Sequence, residues 1–291
     1  MRDERWGQRV NILSIQSHVA YGHVGNASSV FALQRCGVEV WPIHTVQFSN
    51  HTGYGSWRGR AFDAEMIGEL MQGIVDRGVL GQCDGVLSGY LGSAEIGAAV
   101  LDAVAKVKAA NPQARYCCDP VIGDVGRDVY VRPGVAEFMR ERAVPAADIV
   151  TPNHFELDHL IGRVTKNLAD TLATVDRLRA MGPRIVLVTS LLLDDTPPDA
   201  IDLVACDNAG RWRLRTPKLP ISVNGAGDAI AALFFAHCLR SGSAAEALSR
   251  AASAVFGVLK RTAEAGSREI LLVEAQDELV RPARQFRAEP I

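Results

Sequence analysis

The sequence predicts an α/β protein with a central, mostly parallel sheet, helices on both of its faces and a hairpin at its periphery. Three observations carry this. Short segments rich in Val, Ile and Leu alternate with longer amphipathic stretches. The short segments are apolar throughout, as in strands buried on both faces. Two later segments are joined by a turn too short for a crossover helix, so they pair antiparallel.

In chain order, "VNILSIQ", "GVEVWPIHTVQF", "CDGVLSG", "ARYCCDPV", "AADIVTPN" and "RIVLVTS" predict strands. "NASSVFALQRCG", "FDAEMIGELMQGIVDRG", "SAEIGAAVLDAVAKVKAAN" and "LADTLATVDRLRAMG" predict the helices between them. "AIDLVACD" and "GRWRLRTPK", joined at Asp-Asn-Ala-Gly, predict the hairpin, and "LLDDTPPDAID" before it reads as a surface loop. Ala229 to Leu239 is apolar enough for a buried helix, and "SAAEALSRAASAVFGVLKRT" gives one more. No linker, repeat or low-complexity tract divides the 291 residues, so one domain spanning 1–291 is expected.

Composition narrows the function. The net charge is −2 with no basic tract, which gives no support to a nucleic-acid or membrane-surface partner. No apolar run is long enough to span a bilayer, and the charged start "MRDERWGQRV" does not read as a secretory signal. The six cysteines form no C-x-x-C pair and sit mostly in apolar segments, as reduced core thiols of a cytoplasmic protein would.

Ligands of such sheets gather beyond the carboxyl ends of the strands. Polar residues recur there: Ser17 and His18 after the first strand, then "SNHTGYG", "SGYLGS", "DPVIGD", "TPNHFE" and "TSLL" after the next five. "NGAGD" adds an anion site, because Gly225 and Gly227 flank the first turn of a helix whose free N–H groups and dipole favour negative charge. Asp228 is either a first-turn acid or a base beside a phosphate cradle. Neither a P-loop nor a dinucleotide fingerprint is present. Asp119, Asp124 and Glu156, with Asn153, place hard oxygen donors at strand ends, as Mg²⁺ bound to phosphates requires. Each acid alone is more often a cap or a solvated loop residue; together they point to phosphoryl transfer.

"GAGD" before an apolar helix resembles the ribokinase-like superfamily of small-molecule kinases. "IQSHVAYGHVGN", "TVQFSNHTGYG", "SGYLGS", "CDPVIGD", "TPNHFE" and "NGAGD", in this order, resemble the pyridoxal kinases from about Asn11 to Phe286. "VQFSNHTGYG" is the most specific of these. Thr189 stands where some bacterial members carry Lys. The resemblance implies a three-layer α/β/α fold that transfers phosphate from ATP to the 5′-hydroxymethyl group of pyridoxal, pyridoxine or pyridoxamine. It implies Mg²⁺ or a similar divalent cation, leaves a monovalent cation open, and implies a homodimer.

The roles it implies are these. Asp228 is the base, and the N–H groups of Gly225, Ala226 and Gly227 hold the transferring phosphoryl charge. Asp119 and Glu156 position the metal. Asp124 and Tyr130 reach the ATP phosphates from a flap, "GDVGRDVYV", and Thr151, Asn153, Thr189 and Ser190 bond phosphate oxygens. Thr216, Leu219 and the segment to Ile221 line the adenine pocket with Ala254 to Val258. Ser17 and Thr52 contact the polar edge of the pyridine ring, Val46, Phe48 and Tyr90 its faces, and His51 the loop or the ligand. From the residues alone, Ser17 is equally a turn hydroxyl, Phe48 and Tyr90 equally core, and His51 and His18 equally structural. The rivals are a hydroxymethylpyrimidine kinase on the same fold and a non-catalytic carrier of pyridoxal phosphate.

Overall fold

The computed structural model describes residues 9–291, so most of "MRDERWGQRV" lies outside the described residues. In chain order the elements are β1 (Asn11–Val19), α1 (Asn26–Arg35), β2 (Glu39–Phe48), β3 (Gly59–Ala61), α2 (Ala64–Asp76), β4 (Gly85–Ser88) and α3 (Ala94–Ala110). Next come β5 (Arg115–Cys118), β6 (Gly123–Asp124), β7 (Asp128–Val129), α4 (Val135–Phe138), α5 (Val144–Ala146), β8 (Ile149–Val150), α6 (His154–Ile161) and α7 (Leu168–Ala180). The last are β9 (Ile185–Leu191), β10 (Ala200–Cys206), β11 (Arg211–Pro217), α8 (Ala226–Ser241), α9 (Ala244–Glu264) and β12 (Glu289–Pro290).

Ten strands form one sheet in the order β12-β11-β10-β9-β8-β5-β4-β1-β2-β3. The six from β9 to β2 are parallel, and the expected β10–β11 hairpin extends one edge antiparallel. The fully apolar strands serve two cores. Leu13, Ile15, Val86, Cys118 and Val188 face one, under α2, α3 and α7. Ile12, Leu87, Cys117 and Leu187 face the other, under α1, α8 and α9. Alternate residues thus bury on opposite faces. All six cysteines are buried and unbonded.

Helix α8 is apolar all round because it is buried all round: Ala229 to Cys238 are without exception buried. It begins after Gly225 at φ 90° and ends at Gly242 at φ 68°, left-handed positions that glycine adopts without strain.

Four differences from the sequence reading have local causes. Strand β1 continues through Ser17 and His18, with an irregular register against β2 between Gln16 and His18, so these residues lie in the strand rather than after it. Strand β9 likewise runs on past "RIVLVTS" to Leu191, so "TSLL" begins inside the strand. Residues 135–146 and 154–161 form short helices that segments this brief do not announce by periodicity. The 192–199 loop is tethered: Thr196 Oγ1 donates to Asp202 Oδ2 at 2.8 Å, and Arg215 holds the same carboxylate through Nε and Nη2, each at 2.7 Å.

Candidate active site

The N-cap residue of α8, Gly225, makes no side-chain cap, which leaves the N–H groups of Ala226 and Gly227 open. A Cβ at Gly225 would run into the carbonyl oxygen of His23, so the turn admits only glycine there. The start of α1 holds the turn in place. Ser28 Oγ donates to Gly225 O at 2.8 Å and Ser29 Oγ to Asp228 O at 3.1 Å. The Asp228 carboxylate accepts N–H bonds from Gly25 and from its own backbone, which lower its pKa; burial is the larger influence and pushes it up. Gly25 in turn packs on the carbonyl and hydroxyl of Ser17. Ser17, Gly25 and Asp228 are therefore consecutive members of one contact chain.

Two further carboxylates lie close by, with Asp119 near enough to feel the charges of both Glu156 and Asp228. Asp119, just past β5, accepts from Thr151 Oγ1 at 2.8 Å. Glu156 accepts from the N–H groups of Ile122 at 3.0 Å and Asn153 at 2.9 Å. Asn153 completes a capping box by accepting from Glu156 N at 2.9 Å, and its amide donates to Gly123 O at 2.9 Å. Burial raises Asp119 well above the usual carboxylate range, and the charges of Glu156 and Asp228 raise it further. Burial likewise raises Glu156. A cluster of buried acids with no cation among them fits a hard divalent ion bound by few protein ligands. Among the described residues, no group of three or more His, Cys, Asp or Glu side chains is placed to hold a metal ion by itself.

The segment expected as a flap is a short hairpin: β6 and β7 pair antiparallel around Gly126. Asp124 accepts from Val125 N at 2.8 Å, and Tyr130 N donates to Ile122 O at 3.1 Å. The Tyr130 phenol is pushed up by burial and by the charges of Glu156, Asp124, Asp119 and Asp228, so it remains a donor. Arg127 at the flap tip donates to Asn224 Oδ1 at 3.3 Å, beside the phosphate turn.

A cleft of about 300 Å³ opens on one side of that turn. Ala226 and Gly227 line it with Thr189, Ser190, Thr216 and Leu219, and Ile201, Leu203, Val255 and Phe256 make its walls apolar. Ser190 holds φ 56°, a conformation uncommon outside glycine that recurs at ligand sites.

On the Ser17 side, Val46 and Phe48 are buried with Val19, and Tyr90, Val24 and Ala27 pack on them. Thr45 Oγ1 donates to Tyr90 O at 2.8 Å. His51 caps the turn at Thr52–Tyr54, its Nδ1 accepting from Gly53 N at 3.1 Å, while Thr52 is exposed. The Val46–Phe48 cluster and the apolar cleft share no residue.

Sequence reasoning passed over several residues here. Trp57 packs on Phe48 with centroids 4.2 Å apart and the rings tilted by 43°, and Tyr54 OH bonds to Glu269. Two aromatics in a glycine-rich polar loop were the available signal for Trp57 and Tyr54. Asn26 bonds Ile43 O at 2.9 Å and Ser14 Oγ at 2.7 Å, which fixes the turn before α1.

Fold and site define a small-molecule kinase of the ribokinase-like plan. Residues 41–272 match the phosphomethylpyrimidine kinase family. The chain belongs to this family and, within it, stands with the pyridoxal kinases. It is 59% identical to pyridoxal kinase PdxY of Granulibacter bethesdensis, over 96% of this chain and 99% of the relative. It is 55% identical to pyridoxal kinase PdxY of Deinococcus radiodurans, over 97% and 96%. The pyridoxal kinase of Leishmania donovani, solved with ADP and pyridoxamine, superposes with a TM-score of 0.88 at 31% identity, over 97% of this chain and 99% of that one.

Proposed function

We propose that this protein is an ATP-dependent pyridoxal kinase, phosphorylating the 5′-hydroxymethyl group of pyridoxal or its alcohol and amine forms in vitamin B6 salvage. The observation that carries the reading is the position of Asp228. It follows Ala226 and Gly227, which line the apolar cleft with Thr216 and Leu219, and it is joined through Gly25 to Ser17.

In this mechanism the B6 ring lies against Val46, Phe48 and Tyr90, with Ser17 and Thr52 at its polar edge and His51 holding the loop. The adenine occupies the cleft. Thr189, Ser190, Thr151 and Asn153 lie along the phosphates, and the flap brings Asp124 and Tyr130 over them. The Gly225, Ala226 and Gly227 N–H groups stabilise charge on the transferring phosphoryl group. Asp228 accepts the hydroxyl proton; a raised pKa makes it a stronger base once ionised. Asp119 and Glu156 would hold Mg²⁺, largely through water, and the ion supplies charge neutralisation at the phosphates.

A single kinase domain, a cytoplasmic setting and a homodimer belong to the same proposal. Buried free thiols support the second. No helix among the described residues is long and apolar enough to cross a membrane. Resemblance alone supports the dimer, and sedimentation of the purified protein tests it. The functional test is ADP formation with pyridoxal, pyridoxine, pyridoxamine and hydroxymethylpyrimidine in parallel. Turnover of the B6 compounds is expected; turnover of hydroxymethylpyrimidine alone would overturn the reading, and binding without turnover would favour a carrier.

A further inference from the structure

Outside this site, four arginines surround a groove of about 390 Å³ between β11 and residues 284–289. Arg213 and Arg215 stand two apart on β11 and so share one face of the strand. Arg215 is committed to Asp202, but Arg213 reaches Asp195 only at 4.0 Å. Arg284 and Arg287 have no carboxylate partner among the described residues. Glu289 is the one carboxylate of the lining, and it sits opposite Arg213 in the β11–β12 ladder.

The cations are held in place. The Arg284 guanidinium lies 4.6 Å from the Phe286 ring centroid and 5.7 Å from that of Phe256, within cation–π range. The segment carrying it is anchored: Phe286 N donates to Ser253 Oγ at 2.8 Å and Ala288 N to Ser249 Oγ at 2.9 Å. Like charges gathered around a concavity repel one another, and a bound anion relieves that repulsion. Guanidinium groups match the oxygens of a phosphate in pairs. In a chain of net charge −2 such a concentration is local, not a reflection of composition. Phe256 lines the proposed nucleotide cleft, but the groove and the cleft have no lining residue in common.

We propose that this groove is a second anion site, separate from the phosphate turn of α8, which takes the phosphate group of a small phosphorylated compound. The test is calorimetric titration of the full chain with inorganic pyrophosphate, without metal and with the nucleotide cleft saturated by a non-hydrolysable ATP analogue. Wild type should still bind pyrophosphate, less tightly as salt rises. Arg284→Gln/Arg287→Gln should weaken that binding by about 10-fold or more and leave the analogue's affinity unchanged. Arg287→Gln alone, which disturbs neither ring, should weaken it by about 3-fold and serves if the double variant does not fold. Phenyl phosphate and ADP, competed against pyrophosphate, distinguish a monoester from a nucleotide as the source of the phosphate. Saturation of the cleft abolishing all pyrophosphate binding, unchanged binding in the variants, or displacement by neither competitor overturns the proposal.

Discussion

The hydroxyl of Ser28 donates to the carbonyl of Gly225 at 2.8 Å, although the two residues lie 197 positions apart. With Ser29 on Asp228 O, it fastens the start of α1 to the start of α8. The turn that would hold the phosphoryl group is therefore positioned from outside its own helix.

Ser28→Ala should cost about 1 kcal/mol of stability, because Gly225 O keeps its bond from Ala229 N and loses one partner. Turnover should fall by about 10-fold, since small misplacements of reacting groups are costly. Nucleotide affinity should change less than turnover. Normal turnover in a folded Ser28→Ala protein would show that the turn keeps its geometry unaided.

Asp119 offers a cleaner probe of metal dependence than Glu156. Asp119→Asn keeps an amide oxygen that can still accept from Thr151 Oγ1, whereas Glu156→Gln leaves one oxygen for the two N–H groups of Ile122 and Asn153. Asp119→Asn removes a buried acid raised by burial and by its neighbours, so the metal-free protein should become more stable. Half-maximal activity should need about 10-fold more Mg²⁺. Melting curves and a Mg²⁺ titration of activity check both halves. An unchanged Mg²⁺ requirement would remove Asp119 from the metal site.

How much of this was legible in the sequence varies with the range of the interaction. The parallel strands, the hairpin and the Gly225–Asp228 turn are local patterns and stand where expected, and Val46, Phe48 and Tyr90 share one cluster. Ser28 with Gly225, Tyr54 with Glu269 and Arg127 with Asn224 join distant segments, and no local signal reports such pairs. Asn153 and Glu156 teach something different. Their three-residue spacing is that of a capping box, visible in the sequence, yet a reading in terms of ligand chemistry alone overlooks it.

Tyr54 tests the loop over the ring side. Its hydroxyl bonds to Glu269 beyond α9, and the same carboxylate packs against Gly22. Tyr54→Phe removes the tie and keeps the ring. Pyridoxal should bind more weakly by about 1 kcal/mol, chiefly through faster release, with ATP-analogue binding unaltered. Stopped-flow dissociation measures this directly; an unchanged release rate would make the tie incidental.

The buried acids also predict a pH-dependent metal effect. Asp119, Asp228 and Glu156, the last pushed up to about 8, hold protons in the folded state that the unfolded chain has released. Metal-free stability contributed by these groups therefore falls as pH rises from the ordinary carboxylate range toward about 8. His44 and His237, lowered by burial to about 4 and about 3, act oppositely, losing stability as pH falls below 6.5. The histidines cancel in a comparison with and without metal. The Mg²⁺-induced rise in Tm should grow between about pH 5.5 and about pH 8, as the ion replaces protons. A rise independent of pH would place the ion away from these carboxylates.

Asp228→Asn decides the central assignment. The carboxylate stands at the positive end of α8, takes N–H bonds from Gly25 and its own backbone, and is pushed up by burial. Asn keeps an oxygen for those donors and cannot take a proton from an alcohol. Turnover should fall by about 10²- to 10⁴-fold, the scale of general-base loss. ATP and pyridoxal should still bind, because the cleft and the Val46–Phe48 cluster are untouched. Stability should hold or rise slightly, since a partly buried, raised acid is exchanged for a neutral group that helix starts tolerate. A first-turn acid with no chemical role predicts the opposite pair: near-normal turnover with a changed Tm. Both quantities come from one purified variant. If turnover persists, "NGAGD" binds phosphate without moving a proton, and the base must be sought in Asp119, the acid whose pKa Asp228 itself raises.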